Sequence, residues 1–421
     1  MAVATLRTET LVESRPKVLE LEEDEAETLN ALGRKLASDR GWWGETGGED
    51  GEIEVRTAVR CSPVGGGRWS VTVDNAVGTV SAGGVQLIIR PKILQTHLLH
   101  LFAKAGSWPR MDESLAPLSI DSDLVDLVVR WYLSAVERLL RGDLMRDYRE
   151  TRDDLEAVRG RIDAIGTTQL LYSGRFAAVC DFEVFDVDIA LNRVLKAAAR
   201  AILGNPVMAP ESRRRAERVA VRMDEVGTMR AEDLDVSTDR RTAAYYEPLL
   251  LARHILAAQG RSLSRGGASA RAFLFRTPEL VEKGVRNILL SGLVDLCEVK
   301  KEGRQLEAST LRINPDLRFD PVAVGDVKYK VNWGAWVRSD LYQSVAFAAG
   351  FRVDYAVIVT FCDDSRDDLI PARFGDVIVE QLQWRGVPGF SPDMAELRFI
   401  NDARAWWVKI RAQTAQPVRP G

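Results

Sequence analysis

The sequence predicts a mixed α/β protein, α+β overall, with a β-rich N-terminal domain over residues 1–110, a mostly helical middle region over 111–262 and a C-terminal α/β domain over 263–421. Three observations predict this arrangement. Short segments with alternating apolar and polar residues lie in the first part, apolar residues recur at helical spacing in the second, and strand-like and helix-like segments alternate in the third. A chain of 421 residues has enough material for two or three domains.

Composition limits the chemistry. The chain has 57 basic and 61 acidic residues, a net charge of −4, three histidines and four cysteines. No two cysteines have the spacing of a zinc or iron–sulfur motif, and their scatter is typical of a reducing, cytoplasmic environment. No apolar segment approaches the roughly 18–20 residues of a membrane span, so no membrane association is expected. A charge this close to zero argues against coating nucleic acid by bulk charge alone.

The negative charge is concentrated near the N-terminus, where residues 18–54 hold twelve acidic and three basic residues. Leucines continue at helical spacing to Leu36, so the acidic stretch Glu20–Glu27 is interpreted as the solvated start of a surface helix or, alternatively, as a docking face for a partner. Four short alternating segments over 52–93 predict a small antiparallel sheet or barrel. Gly65–Gly67 predicts a hairpin loop, since a P-loop lysine does not follow it.

Apolar stripes predict helices over 122–142 and 188–203 in the middle region. Pro210 opens a third helix that is rich in arginine. This helix is interpreted either as a solvated face or as a surface that contacts DNA phosphates through Arg213, Arg214 and Arg215.

The stretch Pro315–Lys330 carries the strongest candidate chemistry. Asp316 follows a proline at one strand, Asp326 comes ten residues later on the next strand, and Lys328 stands two residues further. Because side chains alternate along a strand, Asp326 and Lys328 face the same side, and a hairpin-like connection brings Asp316 beside them. Carboxylates are hard oxygen ligands for Mg²⁺. We therefore predict a Mg²⁺ site at Asp316 and Asp326, with the backbone carbonyl of Val327 as a further ligand.

Such a site fits metal-assisted phosphodiester hydrolysis, in which Lys328 would hold the attacking water or help to deprotonate it. Lys330, on the same strand, is a candidate DNA contact. The alternative is a surface strand with alternating charges. A second acid-x-Lys match, Glu298-Val299-Lys300, runs into a polar turn and is interpreted as a solvated strand end.

Two flanking helices offer further candidates. Glu282, on the helix before these strands, is either a third acid of the site or an ordinary solvated glutamate. Gln343, on the helix after them, would orient water or contact a DNA phosphate, and Asp340 is interpreted as the cap of that helix.

These residues, in this order, resemble the PD-(D/E)xK nuclease superfamily. The chain as a whole resembles, over roughly residues 50–385, the McrC family of nuclease subunits of McrBC-type modification-dependent restriction systems. The segments that carry the resemblance are Val85–Ile93, Gly142–Asp163, Cys180–Lys196, Tyr246–Leu256, and the motifs LVEKGVRNIL, NPDL, GDVKYK and DLYQ.

The resemblance implies a Mg²⁺-dependent endonuclease with Asp316, Asp326, Lys328, Glu282 and Gln343 as catalytic residues. It also implies a partner, a McrB-like AAA+ GTPase hexamer that binds GTP itself, recognises DNA and is stimulated by this subunit. The substrate would be double-stranded DNA with a 5-methylcytosine-type modification, cut by paired nuclease domains. The chain departs from the family at Phe347, where a tyrosine is usual, and in its acidic N-terminal stretch.

Two other functions are compatible with the residues. One is a stand-alone PD-(D/E)xK nuclease that acts on DNA ends or in repair. The other is a non-enzymatic activator or scaffold of an AAA+ ring, in which the nuclease-like domain is structural.

Overall fold

The computed structural model describes residues 7–38, 57–106, 108, 123–205, 208–258, 261–265, 268–307, 310–331, 334–362 and 369–414. The chain divides into two compact units, Met1–Val125 together with Arg261–Gly421, and Asp126–Gly260. The mixed α/β class is confirmed, whereas the division into three functional parts stays a prediction. Residues 39–54 of the acidic stretch lie outside the described residues.

Helices and strands alternate along much of the chain. The helices are α1 (Glu23–Ser38), α2 (Gln95–Lys104), α3 (Leu124–Leu139), α4 (Ala164–Tyr172), α5 (Ala190–Leu203), α6 (Pro210–Arg222), α7 (Tyr246–Ala258), α8 (Pro278–Gly292), α9 (Arg338–Phe351) and α10 (Pro392–Thr414). The strands are β1 (Arg7–Val12), β2 (Lys17–Glu20), β3 (Val59–Gly65), β4 (Arg68–Val73), β5 (Ala76–Ala82), β6 (Val85–Arg90), β7 (Asp147–Leu155), β8 (Arg161–Ile162), β9 (Ala178–Asp186), β10 (Arg261–Arg265), β11 (Ala268–Arg276), β12 (Val299–Lys300), β13 (Arg304–Gln305), β14 (Arg312–Ile313), β15 (Leu317–Phe319), β16 (Ala323–Val331), β17 (Tyr355–Cys362), β18 (Ala372–Phe374) and β19 (Val377–Arg385).

Two sheets share a core in the N-terminal part of the first unit. One is the antiparallel sheet β2-β4-β3, and the other has the order β1-β6-β5-β11-β10, in which only the β1–β6 pair is parallel. The predicted helix is confirmed as α1, and its leucines, including Leu36, are fully buried between the sheets. Gly65–Gly67 joins β3 to β4 with positive φ, as the predicted hairpin loop. The strands β1, β2, β10 and β11 were not predicted.

The C-terminal part of the first unit is built on a six-stranded sheet of order β12-β15-β16-β17-β19-β18. β17 is buried at every position and pairs in parallel with β16 and β19, as expected for an interior strand covered on both faces. α9 connects β16 to β17 and packs on the face that includes Val324 and Ile358. The opposite face packs on α10, where Trp384 contacts Phe399.

The second unit is more mixed than predicted. Its helices include those predicted around α3 and α5, and Pro210 opens α6 as expected. A three-stranded antiparallel sheet, β7-β9-β8, interrupts the helices, so the mostly helical character predicted for this region is incomplete. Arg193 on α5 forms a bidentate pair with Asp233, with distances of 2.7 and 2.8 Å, which ties α5 to the short 3-10 helix Ala231–Asp235 that follows α6.

Among the described residues, no helix combines the length and the apolar character that crossing a membrane requires.

Candidate active site

Asp316 and Asp326 lie where the pairing of β15 with β16 ends. The last paired residues are Leu317 and Gly325, so Asp316 stands just beyond the ladder. Its Oδ2 accepts a hydrogen bond from the Val327 amide at 3.0 Å and takes the place of the next ladder bond. Both aspartates are buried, with 9% and 5% exposure. The structure therefore brings the two carboxylates together, and β16 is an interior strand rather than a surface strand with alternating charges.

Lys328 lies on the same face of β16 as Asp326. Its Nζ is 2.6 Å from Asp326 Oδ2, 2.6 Å from Gln343 Oε1 and 3.9 Å from Asp340 Oδ1. Burial opposes the charge of this ammonium, but the neighbouring carboxylates, Asp326 first, raise the pKa of Lys328 above its usual value. The side chain is thus held as a cation by polar contacts from two sides, with Asp326 on its own strand and with Gln343 and Asp340 on α9.

Glu282 on α8 is the third carboxylate of the site. Only 22% of its side chain is exposed, so the solvated alternative is wrong. Burial, and then the nearby charge of Asp316, raise the pKa of Glu282 to about 8. Burial also raises the pKa of Asp326 to about 6, although Lys328 opposes this shift. The cluster therefore concentrates acidic groups that are difficult to ionise together, which is the electrostatic setting that a bound cation relieves.

Lys301 also belongs to this cluster, and sequence analysis missed it. Its Nζ is 3.5 Å from Asp316 Oδ1 and 3.7 Å from Glu282 Oε2. The preceding Lys300 behaves as predicted for a solvated strand end, with ion pairs to Glu298, Glu302 and Asp320. Nothing in the local sequence distinguishes these two adjacent lysines, because the difference arises from the placement of β12 beside β15.

Lys330 and Asp340 form an ion pair at the rim of the site. The Lys330 ammonium lies 2.9 and 3.2 Å from the two Asp340 oxygens, and about half of the lysine side chain is exposed. Asp340 stands in the first turn of α9, whose N-cap is Val337, so the prediction that Asp340 caps the helix is wrong. Instead, Asp340 binds Lys330 and adds a second carboxylate near Lys328.

The three candidate arginines lie on α6, in the second unit. Arg215 donates to both oxygens of Glu137, at 2.9 and 2.7 Å, and to Ser134 Oγ at 3.0 Å. Arg214 is exposed and Arg213 is half-buried. Arg215 therefore serves an ion pair within its own unit, and the DNA contact predicted for this helix stays a prediction.

A different group of ligand-type atoms lies on α2 and α10. In the part of the chain that the structure describes, His100, Asp393 and Glu396 are the one set of three whose ligand atoms lie within 4.8 Å of one another. Glu396 is already engaged, since Lys104 Nζ lies 2.5 Å from one of its oxygens and His100 Nε2 lies 2.5 Å from the other. Because both oxygens of Glu396 are engaged in this way, we interpret this group as an ion-pair network.

The raised pKa of Glu282 predicts how the metal-free protein responds to pH. A carboxyl group whose pKa is higher in the folded than in the unfolded chain contributes stability at low pH, and this contribution is lost as the pH rises through the folded value of about 8. We expect Glu282→Gln to raise Tm by about 2 °C or more near pH 9 in EDTA, with little difference below about pH 4.5.

Thermal melts of the two proteins across this pH range measure the effect. Glu279→Gln is the matched control, because Glu279 lies on the same helix with 68% of its side chain exposed. An equal gain in Tm from both substitutions at high pH would refute the prediction that ionised Glu282 is disfavoured within the acidic cluster.

The model of the family described as McrBC 5-methylcytosine restriction system component matches residues 71–359, which is more than half of the chain. The chain belongs to the McrBC family. The McrBC match includes Glu282, Asp316, Asp326, Lys328 and Gln343, and it ends within β17, so β18, β19 and α10 lie beyond it.

Chains similar to this one occur in solved structures. A chain of a half-complex from the tetradecameric assembly of Thermococcus gammatolerans McrB AAA+ hexamers with bound McrC is 18% identical, with a TM-score of 0.64, and the alignment covers 94% of this chain and 100% of that one. A chain of the cryo-EM structure of the Thermococcus gammatolerans McrBC complex is also 18% identical, with a TM-score of 0.47 and coverage of 68% and 88%. No curated protein sequence matches this chain.

Proposed function

We propose that this chain is the Mg²⁺-dependent DNA endonuclease subunit of a restriction complex. The observation that carries the proposal is the convergence of Asp316, Asp326 and Glu282 beside an ammonium that is fixed between Asp326 and Gln343. This set of residues, on a sheet with helices on both faces, supports a nuclease of the PD-(D/E)xK type. Membership of the McrBC family supports the same assignment.

The donor set fits a hard divalent cation. Buried carboxylates supply the oxygen ligands that Mg²⁺ prefers. A positive ion would offset the burial and, after it, the mutual repulsion that raise the pKa of Asp326 and Glu282. Asp316 and Asp326 would hold the ion, with the Val327 carbonyl as a further ligand and Glu282 beside them. When bound, such an ion supplies a Lewis acid and lowers the pKa of a coordinated water.

The remaining side chains orient two ammonium groups and compensate the negative charge of the carboxylates. Gln343 fixes the Lys328 ammonium at 2.6 Å, so this group is positioned as a cation and hydrogen-bond donor towards a phosphate. Asp340 anchors Lys330 at the exposed rim, where the ammonium of Lys330 would meet the DNA backbone. Lys301 neutralises Glu282 and Asp316 while no other cation is present.

The partner that we propose is a McrB-like AAA+ GTPase hexamer. Family membership is the basis, because a relative with the same fold comes from an assembly of McrB AAA+ hexamers with bound McrC. The partner would bind GTP and hold modified double-stranded DNA of the 5-methylcytosine type, and this chain would stimulate its GTPase. Paired nuclease domains would cut both strands, in the cytoplasm.

Reconstitution with the AAA+ partner, GTP, Mg²⁺ and methylated duplex DNA tests this function. We expect double-strand cleavage that needs every component and is lost on adding EDTA, because the carboxylates then have no cation to hold. Cleavage by the isolated chain with Mg²⁺ alone would indicate the stand-alone nuclease instead. GTPase stimulation with no cleavage under any condition would indicate the scaffold.

A further inference from the structure

β16 departs from its regular pairing with β17 directly after Val327, one residue beyond Asp326. Val327 pairs with Val359, and the next paired residue of β16 is Val331, opposite Phe361, so four residues of one strand span two of the other. Irregularities of this kind change the direction of side chains and are common beside active sites. Lys328 lies within this bulge. Its direction therefore depends on how the backbone of the bulge is held.

Side chains bind the outer edge of the bulge. The pairing of β16 with β15 ends at Gly325, and beyond it Asp316 Oδ2 accepts a hydrogen bond from the Val327 amide. One residue beyond Lys328, the carbonyl oxygen of Tyr329 accepts a hydrogen bond of 3.2 Å from Lys92 Nζ. The same ammonium lies 4.8 Å from the centre of the Tyr329 ring. Lys92 thus contacts both the backbone and the side chain of the residue that follows Lys328.

Lys92 lies in the N-terminal part of the unit, just after β6, and its ammonium is paired with a buried carboxylate. Its Nζ lies 3.9 Å from Oε1 of Glu13, and the two side chains are 11% and 0% exposed. Glu13 also accepts a hydrogen bond from Thr277 Oγ1, at the residue that precedes α8. The chain of contacts therefore runs from the ends of β1 and β6 to the strand of Lys328 and to the helix of Glu282.

A buried ion pair of this kind contributes little net stability, since desolvation of both charges offsets their attraction. Burial here lowers the pKa of Lys92 and raises that of Glu13, which shows that the desolvation is large. The better attested benefit of such a pair is a specific geometry. In this structure, the geometry that the pair specifies is that of the backbone beside Lys328.

We propose that Lys92, held by Glu13, is a positioning residue that fixes the bulge of β16 and thereby directs Lys328 between Asp326 and Gln343. The proposal rests on the proposed nuclease function for its kinetic consequence, but not for its structural one. Removal of the Lys92 ammonium leaves the Tyr329 carbonyl without its donor, so the bulge loosens while Lys328 itself is unchanged.

Two measurements on the full-length chain test the proposal. In Lys92→Met, we expect amide hydrogen exchange of peptides covering β16 to accelerate, even in the isolated chain. In the reconstituted complex, we expect kcat for cleavage to fall about 10- to 100-fold, the range typical when the support of an active-site group is removed, with KM for DNA unchanged. Lys92→Arg, which retains a cation and donors, should restore both properties in large part.

Lys104→Met is the matched control, because Lys104 is a half-buried lysine of the same unit that binds Glu396. Glu13→Gln removes the anchor without removing the ammonium and should give a smaller loss of kcat, which keeps the test open if Lys92→Met folds poorly. Unchanged exchange with kcat within about twofold of the parent would overturn the proposal, as would equal losses in the Lys104 control. If the parent complex does not cut DNA, the nuclease assignment fails, and the exchange experiment still decides the role of Lys92.

Discussion

In the reconstituted complex, Asp326→Asn is expected to lower DNA cleavage by about 10³-fold or more while partner binding and GTPase stimulation persist. Loss of one preorganised electrostatic group typically costs about 10²- to 10³-fold in rate. Asp326 has two tasks, because it is a predicted ligand of the cation and it also pairs with Lys328 at 2.6 Å. Its substitution removes both at once. Cleavage assays on methylated duplex, with GTP hydrolysis measured in the same samples, report the two outcomes separately.

Folding of the variant needs its own measurement. Breaking a buried pair exposes the remaining charge to a desolvation penalty of about 3–5 kcal/mol. In this site the penalty is offset in two ways. Lys328 keeps Gln343 at 2.6 Å and Asp340 at 3.9 Å, and the substitution removes a carboxylate whose ionised form is disfavoured by burial, which raises the pKa of Asp326. We therefore expect Tm to change by only a few degrees.

The second acid-x-Lys match of the chain provides a matched control. Glu298 precedes β12 with 64% of its side chain exposed, and its neighbour Lys300 is engaged with surface carboxylates. Glu298→Gln makes the same change of an acid to its amide and should leave cleavage within about twofold of the parent. Cleavage retained in Asp326→Asn, or lost equally in Glu298→Gln, would refute the assignment of the site to Asp326.

The hairpin that carries the aspartates was predictable because its determinants are local. A strand has a fixed alternation of side chains, and a short connection between antiparallel strands fixes which residues meet. These two rules place Asp316, Asp326 and Lys328 together from the sequence alone. The positions of Glu282 and Gln343 followed from the order of helix and strand around that hairpin. Burial of Glu282, by contrast, depends on how α8 packs and became known only from the structure.

What the sequence did not reveal depends on contacts between distant segments. β11 joins a sheet formed mainly by the first 90 residues, and the sequence of neither strand alone indicates that β11 pairs with β5. Lys301 reaches the acidic cluster only because β12 pairs with β15, and Lys92 reaches Tyr329 across 237 positions of sequence. The capping role predicted for Asp340 was wrong for a more local reason, because α9 begins at Arg338 and Asp340 lies within its first turn, where its carboxylate pairs with Lys330.

The second large effect is expected from Gly284→Ala, a change of one methyl group in α8. A Cβ at this position would lie 2.3 Å from the carbonyl oxygen of Leu101 and 3.0 Å from its carbonyl carbon. These are backbone atoms of α2, so no rotamer change relieves the clash and the two helices must separate. Overpacking in a core costs about 1–3 kcal/mol, and more where the backbone itself must move. We expect a loss of Tm of about 4 °C or more, measured by thermal denaturation.

Gly386→Ala is the control, because a Cβ there would meet its nearest atoms, in the ring of His97, at an ordinary 3.7 Å. Its Tm should stay within about 1 °C of the parent. If the Tm of Gly284→Ala also stays within about 1 °C of the parent, α2 and α8 lie further apart than the close contact of Gly284 with Leu101 requires.

Separation of the helices also matters for the site, since Glu282 lies two residues before Gly284 on α8. If α8 moves away from α2, the distances from Glu282 to Asp316 and Lys301 change with it. We therefore expect Gly284→Ala to weaken the pH-dependent gain in Tm that Glu282→Gln produces, a coupling that a double-mutant cycle measures.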